Sequence, residues 1–386
     1  MTKLLVYALL LMVQRVFLRP RSGVNDLRLF RSAFDQAGLK GVQRFLVGEY
    51  LPRRYLLKTR VATRRASYSI IPKIFRSVGD PKELLQPFLT HDQMEKILII
   101  RSGAMGDVIL TTPVIRRLYE SREGLCHIDV ATRYPEVFKN NPRVYGVIQI
   151  GELKSLDRHY DLIIDLDMSQ EKHKSIHPTE AYFRRVFGNS DLSSSNLQPE
   201  LFWSDDDIRK VEAIIEKFPE GYVVTHNRGD LSQPYRNIDE TTWKQFLTDL
   251  EKYNLPILQI GSIDLDVFIE TDNSIDLRGK MDLQQTAYLL SRAKLFAGGD
   301  AGPLHIAASN NVPIIGFFSI AHHNSRKPLR KGNDNFVAIA PSLECYGCAQ
   351  KYPLPWGFAC ARGDSICQKS YAVEQAISAV PRFLSN

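Results

Sequence analysis

Residues 96–107 read KILIIRSGAMGD: an apolar run, a glycine-bearing turn and then an acid. The run Lys96–Arg101 has the continuous hydrophobicity of a strand buried on both faces of a parallel sheet. Gly103 and Gly106 follow it, permit positive φ and let the backbone approach a ligand, so they form a candidate phosphate or acceptor loop. A helix is predicted over Val108–Glu120. Asp107 therefore falls where the carboxyl end of a strand meets the start of a helix, the edge at which open α/β sheets bind ligands. It is a candidate functional carboxylate, and a plain helix cap is the alternative reading. The glycines are not spaced as G-x-G-x-x-G, so dinucleotide binding is not indicated.

Outward from this motif the alternation continues. Strands are predicted at His127–Thr132, Val144–Ile150 and Asp161–Asp165, which makes a βαβ series with a parallel sheet. A helix over Asp205–Phe218 carries the chain onward, and the pattern restarts. Strands Tyr222–His226, Ile257–Gly261, Leu295–Gly298 and Ile314–Phe318 alternate with helices Thr241–Lys252, Asp282–Ser291 and Leu304–Asn310. Ala372–Phe383 reads as a closing amphipathic helix. The expected class is α/β, with two Rossmann-like domains at 93–205 and 206–370 facing a cleft, a closing helix in 371–386, and a basic, mostly helical extension over 1–92.

The second domain repeats the strand–turn–helix design at Gly298-Gly-Asp300-Ala301-Gly302-Pro303-Leu-His305. Pro303 suits a first helical turn, where no N–H is needed. Free N–H groups there, with the helix dipole, make an expected phosphate site. Gly302 keeps side chains away from it, and His305 lies one turn in. A structural helix start with a core-facing histidine is the alternative.

Charge is unevenly placed. Residues 1–76 hold 16 Lys/Arg against Asp26, Asp35 and Glu49, a net of +13, so of the total +7 the remaining 310 residues carry −6. Such an arm suits a polyanion such as an anionic membrane face. It carries no nucleic-acid recognition motif, so nucleic acid is not an expected partner. The apolar run Leu4–Val13 is shorter than the roughly 20 residues a bilayer requires and lacks a signal cleavage site. An interfacial helix with basic flanks fits better. The expected location is cytoplasmic, peripheral on the inner face of the cell membrane.

Four of the five cysteines cluster as Cys345-x2-Cys348-x11-Cys360-x6-Cys367, and Cys126 stands apart. In a reducing compartment such a loop reads as a structural zinc or iron site, with free thiols as the alternative. Asp165-Leu-Asp167 has the form of a D-x-D metal motif but ends a strand, and it is read as structural.

Two segments carry a resemblance. ILIIRSGAMGDVILTTPVIRRL and FAGGDAGPLHIAASNNVPIIGFF, with LRGKMDLQQTAYLLSRAKLF just before the second, closely resemble glycosyltransferase family 9, which includes the ADP-heptose:lipopolysaccharide heptosyltransferases. The resemblance covers roughly residues 95–385. It implies a GT-B fold, an inverting mechanism and no catalytic cofactor. By the same resemblance Asp107 matches the general base. Asp300, Gly302 and His305 match the donor diphosphate and sugar site, with Ala301 where the family commonly has Thr or Ser. Arg236 aligns with a Lys/Arg that contacts the donor phosphates, and Arg228 is a second candidate. Gly261 and Asp264 fall in a loop near the nucleoside ribose. Cysteine-rich loops also occur in the family, and in its autotransporter heptosyltransferases they hold iron. The implied reaction moves a sugar, heptose, from a nucleoside-diphosphate donor, ADP, to a lipopolysaccharide-type glycolipid or other glycan. The competing readings are a non-catalytic member that binds nucleotide sugar or glycolipid, and a nucleotide-sugar epimerase, which requires extra carboxylates.

Overall fold

The computed structural model describes residues 94–384, apart from segments 156–158, 172–174, 190–191, 193–194, 229–233, 331–334, 352–359 and 361. The basic extension 1–92 and its expected interfacial helix lie outside the described residues. No described helix is long and apolar enough to cross a membrane.

The first half runs β1 (Glu95–Arg101), α1 (Met105–Ile109), α2 (Thr112–Ser121), β2 (Cys126–Thr132), β3 (Gly146–Gln149), β4 (Leu162–Asp165) and α3 (Pro178–Phe187). The second runs α4 (Asp205–Ile215), β5 (Val223–His226), α5 (Glu240–Leu250), β6 (Ile257–Gln259), β7 (Ser274–Asp276), α6 (Leu283–Arg292), β8 (Leu295–Gly299), α7 (Gly302–Ala308), β9 (Ile314–Phe317), β10 (Phe336–Ile339), α8 (Cys348–Lys351) and α9 (Val373–Leu384). One sheet has the order β3-β2-β1-β4 and the other β10-β9-β8-β5-β6-β7. Pairs β2–β3, β5–β6, β5–β8, β6–β7, β8–β9 and β9–β10 are all parallel. The protein is thus the expected α/β molecule of two parallel sheets with helices.

By compactness the described residues form two units. The smaller includes residues 94–97, Leu118–Ile128 and His159–Leu162. Within it Arg122 pairs with Glu95 at 3.2 Å, and the Asp161 carboxylate accepts from the Lys96 amide at 2.9 Å. The larger comprises Leu98–Arg117, Asp129–Arg158 and Ile163–Asn386. Both glycine-bearing motifs lie in it.

The predicted helix Val108–Glu120 is in fact two. Thr111 Oγ1 donates to the Val108 carbonyl at 2.7 Å and Thr112 Oγ1 to the Ile109 carbonyl at 2.8 Å. Hydroxyls that bond back to the chain compete with the helical ladder, and the axis breaks there. The second sheet encloses an aromatic core in which Trp243 and Phe246 of α5 meet Phe317 of β9, and Ile377, Val380 and Phe383 of α9 close the same cluster. This fixes the carboxyl ends of β8 and β9, from which the second motif emerges.

Candidate functional site

The first motif is organised by a buried cation. Arg101, the last residue of β1, is 1% exposed. Its Nη2 lies 3.1 Å from Asp107 Oδ2 and 2.9 Å from Glu171 Oε1, and its Nη1 lies 3.3 Å from Asp167 Oδ1. The guanidinium also sits over the Tyr182 ring, 5.3 Å from its centroid. Burial alone would loosen its proton. Tyr182, Asp107 and Glu171 outweigh burial, and the pKa rises above the ordinary arginine value. Ser102 donates to Asp167 from both its amide, at 2.9 Å, and its hydroxyl, at 2.5 Å.

Asp107 keeps about a quarter of its side chain exposed, and its Oδ2 also accepts from the Ala104 amide at 3.3 Å. It therefore caps α1 while still facing solvent. Gly103 is required by closeness: a Cβ there would lie 2.7 Å from Arg101 Nη2 and 2.8 Å from Asp107 Oδ2.

The second motif is organised by a buried anion. Asp300 follows β8, is 4% exposed, and donates its amide to the Phe317 carbonyl at 3.2 Å. Arg236 Nη2 lies 2.9 Å from Asp300 Oδ2 and donates to the Asp300 carbonyl as well. Burial pushes this carboxyl up, but Arg236, Arg326 and His305 together pull it below the ordinary aspartate value. His305, on α7, is 6% exposed. Burial lowers its pKa to about 4 against the opposing pull of Asp300, so the imidazole is neutral at pH 7. Ala301 is the N-cap residue of α7 and makes no side-chain cap.

The two motifs touch. A Cβ on Gly106 would lie 2.5 Å from His305 Cδ2, and one on Gly302 would lie 2.7 Å from Met105 Cε. Glycine at 106 lets α1 and α7 come this close, whereas the flexible Met105 side chain can move away from a Cβ at 302.

The remaining sequence candidates are more scattered. Arg228 pairs with Glu240 on α5. Gly261 adopts φ 140°, and a Cβ there would run into the Asp266 carboxylate. Asp264 is exposed, whereas the side chain of Asp266 two residues on is only 8% exposed, accepts from the Ser262 amide at 2.6 Å and lies 3.3 Å from His226 Nε2. Sequence reading missed Glu171, Asp266 and Arg326, and set Asp167 aside. Their partners lie far along the chain, 65 residues from Ser102 to Asp167 and 70 from Arg101 to Glu171.

None of the four clustered cysteines is in a disulfide. Burial raises the pKa of Cys348, and Cys345 and Cys360 add to it. Burial and the other three thiols push Cys367 up to about 11. Burial also tends to raise Cys360, but backbone N–H groups from Arg362 to Ser365 outweigh it and favour the thiolate. The donor chemistry suits a soft metal. Among the described residues, however, no group of three or more His, Cys, Asp or Glu is arranged to hold a metal ion.

With this geometry in place, likeness to known proteins can be stated. Residues 267–352 match the family described as Glycosyltransferase family 9 (heptosyltransferase). A curated relative, the lipopolysaccharide core heptosyltransferase OpsX of Haemophilus influenzae, is 35% identical over 65 residues, 17% of this chain and 18% of that protein. The match thus spans under a fifth of the relative's length. Among solved structures, a glycosyltransferase family 9 protein of Veillonella parvula superposes with a TM-score of 0.62 at 15% identity, covering 77% of this chain and 98% of the other. The ADP-heptose LPS heptosyltransferase II of E. coli gives 0.55 at 16%, covering 74% and 99%. The iron-containing dodecameric glycosyltransferase TibC of enterotoxigenic E. coli H10407 gives 0.54 at 14%, covering 76% of each chain. These structures share the fold. The matched segment, which includes Asp300, Gly302 and His305, is similar to glycosyltransferase family 9.

Proposed function

We propose that the protein is an inverting glycosyltransferase that moves a sugar, heptose, from an ADP-linked donor to a lipopolysaccharide-type glycolipid or another glycan. The apposition of Gly106 and His305 carries this reading, because it brings a solvent-facing carboxylate and a cation-bearing, glycine-lined turn to one place. Asp107 takes the proton of an acceptor hydroxyl. The freed oxygen bonds to the anomeric carbon as the bond from that carbon to the diphosphate breaks. Arg236 and the amides near Gly302 meet the charge that builds on the leaving phosphates. Arg228 is a further donor contact, and Gly261 and Asp264 lie by the nucleoside.

The proposal includes the domain division at 93–205 and 206–370, and docking of the basic arm 1–92 on an anionic inner membrane face. It also gives a structural zinc or iron to Cys345, Cys348, Cys360 and Cys367. One observation favours the epimerase reading: Asp167 and Glu171 supply extra carboxylates beside Asp107. Both are engaged by Arg101, and the transferase reading is preferred.

Incubation with ADP-, GDP- and UDP-sugars, followed by mass spectrometry, separates the two. Transfer releases nucleotide and yields a heavier acceptor, whereas epimerisation releases none. Asp107→Asn should bind donor and lose transfer by about 10²–10⁴-fold, and undiminished turnover by that variant removes the assigned base.

A further inference from the structure

The two motifs carry opposite charge. Around Arg101 one guanidinium meets three carboxylates. Around Asp300 the balance reverses. Asp300 is already paired with Arg236, and its ionisation responds to a second guanidinium, Arg326. His305 and His177 feel the Arg326 charge too. Both imidazoles are held neutral, chiefly by burial, so they add no charge at pH 7. Two guanidinium groups, Arg236 and Arg326, thus act on Asp300, while Asp107 acts on His305 from the first motif and Lys327 acts on His177.

Arg326 is placed firmly. It lies beyond β9, whose Phe317 is in register with Gly299 at the end of β8, next to Asp300. A short turn over His323–Ser325 precedes it, and the Arg326 amide donates to the His323 carbonyl at 3.0 Å. Gln350 staples that turn, donating to Ser325 Oγ at 2.8 Å and accepting from the His322 amide at 2.9 Å. Yet Arg326 Nη1 is buried and has no hydrogen-bond partner among the described residues. Arg236 Nε is likewise buried without a partner. A buried, unpaired cationic donor is costly unless an anion arrives to satisfy it.

We propose that Arg326 binds the diphosphate of the nucleotide ligand, its buried Nη1 supplying a second guanidinium beside that of Arg236. This rests on the transferase reading for the identity of the ligand, but not for the presence of an anion site. A guanidinium grips phosphate oxygens through directed N–H bonds, so it holds the ligand and offsets the charge that the leaving group gains.

Inorganic pyrophosphate and ADP are the probes, titrated calorimetrically into wild type, Arg326→Met, Arg326→Lys and Arg209→Met, an exposed cation on α4. Wild type and Arg209→Met should bind both alike. Arg326→Met should bind about 10- to 100-fold more weakly, the worth of a hydrogen bond to a charged group, and Arg326→Lys should fall between. Wild-type affinity in Arg326→Met, or no pyrophosphate binding by wild type, would overturn the proposal. Arg326-dependent pyrophosphate binding without transfer from any nucleotide sugar would keep the anion site and remove the transferase reading.

Discussion

The His305 imidazole closes on the α-carbon of Gly106 so tightly that an added methyl would stand 2.5 Å from His305 Cδ2. His305 is buried and has little room to yield. Gly106→Ala should therefore force α1 and α7 apart, costing about 1–3 kcal/mol of stability, the usual cost of overpacking. Urea unfolding measures the loss. Transfer should fall with it, because the same shift moves Asp107 away from the donor turn.

Acid should unfold the protein partly through His305. The unfolded imidazole takes its proton near pH 6.5, whereas in place it does so only near pH 4. Between those values the unfolded chain binds the extra proton, so this contribution is complete above pH 6.5 and is lost as pH falls through 4. Its full size is about 3 kcal/mol, from the span of the shift. His177 acts with the same sign. His305→Gln should flatten the stability curve over this range, and an unchanged slope counts against a buried neutral imidazole.

Removing Arg101 should be severe at neutral pH. Arg101→Met leaves Asp107, Asp167 and Glu171 facing one another without their shared cation. The expected loss is about 3–5 kcal/mol, as for other broken buried pairs. Added salt should recover part of it, because screening weakens the repulsion between the three carboxylates. A variant as stable as wild type at both low and high salt would show that the cluster does not depend on its arginine.

Metal analysis of purified protein should find about one zinc or iron per chain if the four thiols form a tetrahedral site. Cys345→Ser with Cys348→Ser should abolish it while leaving nucleotide binding intact. Metal far below one per chain marks the cysteines as free thiols.

Much of this architecture is written locally. Strands such as Ile314–Phe317 are wholly buried, and their unbroken apolar runs announce them. The short strand Ser274–Asp276 is only half-buried and carries polar ends, so no run marks it. The break between α1 and α2 depends on two threonine hydroxyls turning back to the chain, which periodicity does not register. At the site, Asp107 and Asp300 stand out because each follows a glycine turn. Asp167 and Glu171 do not, since their role comes from a guanidinium more than 60 residues away. Arg326 has no motif around it, and its meaning lies in an empty bond.

The aromatic core behind the second motif has an optical consequence. Trp243, 1% exposed, stacks edge-on against Phe317 with ring centroids 5.4 Å apart, and the Phe317 carbonyl receives the Asp300 amide. The indole is thus wired to the anion-facing turn through a single phenylalanine. With Trp203 and Trp356 replaced by phenylalanine, its emission colour and lifetime offer a label-free window on that turn.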